Sequence, residues 1–143
     1  MMTRFHCAAL VLLVALGAAA CGGDDDAPPD ANLTPDARPP RGTFSLEWTI
    51  TQGGDSATCA DVGASQVTVE WIEQGAGAGN ADTFNCTAGN ATTIQISVAT
   101  YDVSVDLVDA SLQSLLPAKI MVSGVEVTEN NDTALDPIVF EVP

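Results

Sequence analysis

From Thr43 onward the chain alternates apolar and polar side chains with a period of two. Phe44, Leu46, Trp48 and Ile50 are interleaved with Ser45, Glu47 and Thr49, the signature of a strand with one buried face. Val67, Val69 and Trp71 repeat the pattern, as do Ile94–Val98, Tyr101–Leu107, Ile120–Val122, Val125–Val127 and Ile138–Val142. The count predicts about seven strands, separated by turn formers at Gly53-Gly54-Asp55, Gly75–Asn80, Gly89-Asn90 and Asn130-Asn131-Asp132. Many short half-buried strands imply two antiparallel sheets packed face to face, a single all-β sandwich over residues 42–143. Amphipathic helices are missing, which disfavours a parallel α/β fold. Ser111–Leu116, stopped by Pro117, is the one stretch that predicts a helical turn.

The N-terminal residues follow a different rule. Met1–His6 carries one positive charge, and an uninterrupted apolar run follows from Cys7 through Ala20. A charged start and a short apolar middle are the layout of a secretory signal. A spanning helix needs roughly 20 apolar residues, so this run is too short for a permanent span. It ends at Ala18-Ala19-Ala20-Cys21, which resembles the lipobox of bacterial lipoproteins. That resemblance implies cleavage before Cys21, a signal peptide of residues 1–20, and lipid on the Cys21 sulfur. Each buried methylene contributes ~0.8 kcal/mol, so two or three acyl chains would anchor the protein stably. An ordinary signal peptide that leaves Cys21 unmodified is the alternative.

Residues 21–41 would then form the anchor and a tether. Five of the chain's eight prolines and one large aliphatic residue, Leu33, fall in this stretch. So little apolar surface cannot offset the entropy of ordering, which predicts an extended, disordered spacer. Asp24-Asp25-Asp26 reads as a solvated charge run within it.

Charge narrows the partners. The net charge of −15 becomes −16 when Arg4 leaves with the signal, and Arg38, Arg41 and Lys119 are the only cations that stay. Such a balance repels phosphate backbones and excludes nucleic acid as a partner. The expected partners are the membrane, through lipid on Cys21, and an envelope protein or polysaccharide of unknown identity. The location is the bacterial cell envelope outside the cytoplasm, the outer membrane where there is one, and a monomer is expected.

Over Val67–Ala110 the cadence resembles transthyretin-like sandwiches of carboxypeptidase regulatory domains and collagen-adhesin B-type repeats. The residues that carry it are Thr92-Thr93-Ile94-Gln95-Ile96 and then Ala99-Thr100-Tyr101-Asp102-Val103-Ser104-Val105-Asp106-Leu107. The resemblance implies a spacer, accessory or adhesive module and brings no catalytic residue with it. An unrelated immunoglobulin-like sandwich accounts for the same pattern.

With Cys21 lipidated, Cys59 and Cys86 are left in a compartment where disulfides persist, and a bond between them is expected. It would stabilise the fold by about 3 kcal/mol in the chain-entropy account. A cysteine metal site has too few ligands, because structural zinc takes four and the only histidine, His6, leaves with the signal. The missing histidine also removes the usual base for a serine nucleophile. The glycine cluster at 75–79 lies between strands and lacks a lysine, so it reads as a hairpin loop rather than a phosphate cradle.

Paired carboxylates are the catalytic chemistry still available. Asp102 and Asp106 are in phase with outward positions, with Asp109 or Glu126 near, and could serve a glycoside hydrolase. Outward acids that keep a sheet soluble are the stronger reading. Glu129–Asp132, or Asp55 with Asp61, could give calcium some oxygens, but no Asp-x-Asp-x-Asp-Gly loop occurs. Trp48 and Trp71 are in phase with aliphatic neighbours and belong to the core, and Tyr101 is placed to bury its ring while its hydroxyl pins a sheet corner. No catalytic, cofactor or metal residue is assigned. The expected function is a non-catalytic binding or structural module, whose loops 53–65 and 73–82 are free to meet a partner. A small carbohydrate-active hydrolase and a spacer without ligand are the rivals.

Overall fold

A computed structural model describes residues 38–143, so the signal, Cys21 and the tether up to residue 37 lie outside the described residues. The first sheet is organised around β1 (Arg41–Gln52), twelve residues whose alternation buries Phe44, Leu46, Trp48 and Ile50. One flank of β1 is covered piecewise by β2 (Asp55–Ala57), then by β5 (Asn90–Thr92) and β6 (Ile96–Ser97), all antiparallel. On the other flank β9 (Asp132–Ala134) and β10 (Ile138–Val142) run parallel to β1. Ser45 thus has Thr92 opposite it on one side and Ala134 on the other.

The second sheet is antiparallel throughout, in the order β4 (Gly79–Asn85), β3 (Gln66–Glu73), β7 (Ala99–Val108), β8 (Ile120–Val127). The two sheets make the expected all-β sandwich, with ten strand segments instead of about seven. The strands not expected are β2, β5 and β9, fragments of three residues along β1 too short to display a period, and β4, whose Gly-Asn-Ala-Asp-Thr-Phe-Asn carries a single large apolar residue. The parallel pairs arise because the chain crosses from β8 back to the first sheet and runs up the free flank of β1.

Between the sheets, β1 packs against Val67, Val69 and Trp71 of β3 and against Val103, Val105 and Leu107 of β7. Phe44 meets Trp71 edge to face, with ring centroids 5.8 Å apart and planes at 86°, a geometry that adds ~0.5–1.5 kcal/mol beyond the area buried. Trp48 is also core, and its indole N–H donates to the Cys86 carbonyl at 3.0 Å. Tyr101 buries its ring and donates its hydroxyl to the Ser97 carbonyl at 2.9 Å, pinning the corner between β6 and β7.

Three local expectations are corrected. Ile120–Val122 and Val125–Val127 are one strand, β8, not two. Two residues, Ser123 and Gly124, bulge opposite Asp102, and Gly124 takes a φ of 74°, so the inward phase shifts by one residue. Ser111–Leu116 is not a helical turn. The Asp109 carboxylate accepts from the Ser111 and Gln113 amides, at 2.7 and 2.9 Å, and Ser114 then bridges back to Val108. Only Ile96–Ser97 of the expected 94–98 strand pairs, leaving Ile94 66% exposed.

Where β1 begins, the chain passes too closely for a side chain. A Cβ on Gly42 would lie 2.2 Å from the Thr128 carbonyl oxygen and 2.9 Å from that of Asn131. Both obstacles include backbone, and Thr43 donates its amide to Asn131 at 3.0 Å, so neither side yields freely. Gly42→Ala is expected to destabilise the domain by roughly 1–3 kcal/mol, read as a lower urea midpoint at unchanged slope.

Candidate functional site

Two of the clefts in the sandwich lie near opposite ends of β1. Near Arg41 lies a polar cleft of about 300 Å³, lined by Arg41, Glu73, Asn80, Gln95 and Tyr101 over a floor of Trp71 and Ile96. The Arg41 guanidinium donates to the Gln95 carbonyl at 3.1 Å. Burial, and then the negative charge of Glu73, push the Tyr101 hydroxyl above the ordinary tyrosine range, so it stays a neutral donor.

Near the other end lies a more open, mainly apolar cleft of about 410 Å³. Trp48, Ile50 and Ala57 line it with the disulfide, and the hydroxyl residues Ser56, Thr58 and Thr87 border it. Cys59 and Cys86 are joined, as expected, with Cα atoms 6.0 Å apart and both sulfur residues buried. The bond is held from both sides. Asn85 accepts the Thr87 amide at 3.0 Å to start a 3-10 turn over Cys86–Ala88, and Cys86 donates its amide to the Ser65 carbonyl at 3.1 Å. On the Cys59 side, Asp61 accepts from the amide and the hydroxyl of Thr58, at 2.8 and 2.6 Å. These bonds hold the Asp61 carboxyl below the usual carboxylate range.

The two loops expected to be free are therefore largely braced. Residues 55–57 form β2, 58–61 close a turn beside the disulfide, and 79–82 are in register on β3. Turns at Gly53-Gly54 and Gln74–Ala78 are what is left open.

The expected carboxylate pair does not come together. Asp102 and Asp106 are four residues apart on β7, which puts their Cα atoms roughly 13 Å apart along the strand. Glycosidase carboxyl pairs are spaced ~5–9.5 Å. Asp102 accepts from Gln74 Nε2 at 3.0 Å and from the Gly124 amide at 3.3 Å, which lowers its pKa. Asp106 is not outward and solvated as the alternation implies. It is 5% exposed, because Ser114 folds over it and donates its hydroxyl at 2.7 Å. Asp109 caps its own turn, and Glu126 lies opposite Thr100 on β8.

Of the candidate calcium oxygens, those of Asp132 and Asp61 are similarly engaged. Asp132 accepts from Thr43 Oγ1 at 2.7 Å and from Ser45 Oγ at 2.5 Å, while Asp55 sits on β2 and Asp61 is bound to Thr58. Among the described residues no three His, Cys, Asp or Glu side chains gather as a metal site. The apolar cleft had no sequence signal of its own. Its walls come from a three-residue strand, a three-residue 3-10 turn and the far half of β1.

No protein-family model and no curated protein matches the sequence. Among solved structures, a leucine-rich repeat protein from Bacteroides thetaiotaomicron superposes with a TM-score of 0.40 at 13% identity. The match covers 72% of this chain and 12% of that one, and a superposition this loose carries no argument about function.

Reducing the Cys59–Cys86 bond releases a loop closed over a separation of 27 residues. The expected loss is roughly 3 kcal/mol of stability, read as a fall in the denaturant midpoint with dithiothreitol. Glu70 gives a pH prediction. Its bond to Lys119, 2.7 Å long and half exposed, keeps the carboxyl below its ordinary value of 4.5. A lowered carboxylate stabilises the fold above the unfolded pKa and loses that contribution as pH falls through the folded value. Wild type should therefore exceed Glu70→Gln by less than ~1 kcal/mol at neutral pH, with the gap closing as the solution is acidified below pH 4.5. Paired urea titrations across that range check it.

Proposed function

We propose that this chain is an extracytoplasmic lipoprotein, held to a bacterial membrane through lipid on Cys21 and presenting a non-catalytic sandwich domain that binds a partner in the envelope. The carrying observation is the apolar run Cys7–Ala20, closed by three alanines directly before Cys21. The joined Cys59 and Cys86 support it, since such bonds form and persist where the environment is oxidising. Binding is favoured over catalysis because the carboxylates that chemistry would need accept hydrogen bonds from their own chain. Asp102 is held by Gln74, Asp106 by Ser114 and Asp109 by its turn. Cleavage before Cys21 would also remove His6 and leave Lys119 as the single lysine. Lipid sets the address, residues 22–41 set the reach, and the braced loops present a surface of fixed shape.

Labelled palmitate supplied to expressing cells should appear on the wild-type chain and be missing from Cys21→Ser, which should leave the membrane fraction. Membrane retention of Cys21→Ser, or a purified product that keeps residues 1–20, would overturn the anchor. The binding half is tested by capture from envelope extract on the immobilised full chain, where recovery of nothing specific would sink it.

A further inference from the structure

We propose that the apolar cleft beside the disulfide is a recognition pocket for a cationic peptide segment, which seats one large aliphatic side chain against Trp48 and Ile50 while flanking lysines or arginines meet the carboxylates of Asp55 and Asp61 beside it. The proposal rests on the binding reading above and names the site and the partner's chemistry. Volume and wall composition come first. About 410 Å³ lined by Trp48, Ile50, Ala57 and the disulfide can take one such side chain, and removing it from water is worth ~1.5–3 kcal/mol.

The hydroxyls at the rim decide the polarity of what surrounds that side chain. Thr58 donates its proton to Asp61 at 2.6 Å, and Thr87 donates its own to Asn85 at 2.8 Å. Both protons are committed to neighbouring acceptors, so these two hydroxyls turn lone pairs to the cleft, while Ser56 stays able to donate or accept. Two exposed carboxylates stand just outside the lining, Asp55 next in the chain to Ser56 and Asp61 bonded to Thr58. An acceptor-rich rim with negative charge calls for a donor-rich, positively charged ligand.

No described cation neutralises this end. Arg41 lies nine residues along β1 from Ile50, roughly 30 Å at strand rise, several times the ~8 Å screening length at physiological salt. Arg38 precedes it, and Lys119 is tied to Glu70 at 2.7 Å on the other sheet. The site is also built before the ligand arrives: the disulfide, the Asn85 cap and the Asp61 turn hold its walls, so little ordering entropy is lost on binding.

The test uses the full chain and three capped tripeptides, acetyl-Arg-Leu-Arg-amide, acetyl-Arg-Ser-Arg-amide and acetyl-Glu-Leu-Glu-amide, followed by calorimetry and tryptophan fluorescence. Arg-Leu-Arg should bind at least about tenfold more tightly than either control, shift the Trp48 emission, and weaken several-fold between about 0.05 and about 0.5 M salt. Thr87→Phe, at an exposed position on the cleft wall, should abolish binding. Asp55→Asn, which preserves size, should weaken it about two- to threefold. Circular dichroism and an intact disulfide mass certify each variant as folded. Equal binding of Arg-Ser-Arg or of Glu-Leu-Glu, binding untouched by Thr87→Phe, or no binding to the folded wild type would overturn the pocket. Failure here removes only the cleft, whereas an empty envelope capture removes the binding reading itself.

Discussion

Every other strand of the first sheet hydrogen-bonds to β1, and no other pairing holds that sheet together. β1 therefore carries two ladders and one wall of the core at once. Its inward residues, Phe44, Leu46, Trp48 and Ile50, face the second sheet, while its backbone collects β2, β5, β6, β9 and β10 from sequence positions up to about ninety residues away. At its start the carbonyls of Thr128 and Asn131 pass so close that Gly42 has no room for a Cβ. The second sheet has no such dependence. Its four strands pair in a chain of long antiparallel ladders.

That difference explains what could be read from the residues alone. β3, β7 and β10 are each five or more residues with one face buried, so period two exposes them, along with the core positions of Trp48, Trp71 and Tyr101. The cysteine pairing followed from elimination, once Cys7 and Cys21 are assigned to the signal-like N-terminus. β2, β5 and β9 are legible only as partners of β1, because three residues cannot establish a period. The Gly124 bulge looked like a strand break, since a one-residue insertion reverses the phase of everything after it. Asp106 was misplaced for a different reason. Alternation tells which face a side chain leaves from, not whether a later loop, here Ser114, covers it.

The acidity of the chain bears on the fold as well as on partners. Like charges at this density oppose compaction, yet many of the carboxylates are used as local acceptors. Asp61 and Asp109 close turns, Asp102 holds the bulge to Gln74, Asp106 fixes the 109–116 segment, and Asp132 fastens β9 to Thr43 and Ser45. These are the bonds that replace the helices and long loops a larger domain would use to cover its sheet ends.

The same accounting separates the two ends of the molecule. At the polar cleft, acid and base coexist: Arg41 and Glu73 share a rim, and Arg41 is already directed to a backbone carbonyl. A ligand there would have to displace that bond or work around it. At the disulfide end no described cation competes, Thr58 and Thr87 have committed their protons to Asp61 and Asn85, and apolar wall is left unfilled between Trp48 and Ala57. Arg41 opens β1 and the apolar cleft lies against the far half of that strand, so the strand that organises the sheet also keeps the two clefts apart: a ligand at Trp48 and Ile50 meets neither Arg41 nor the bond it makes to Gln95.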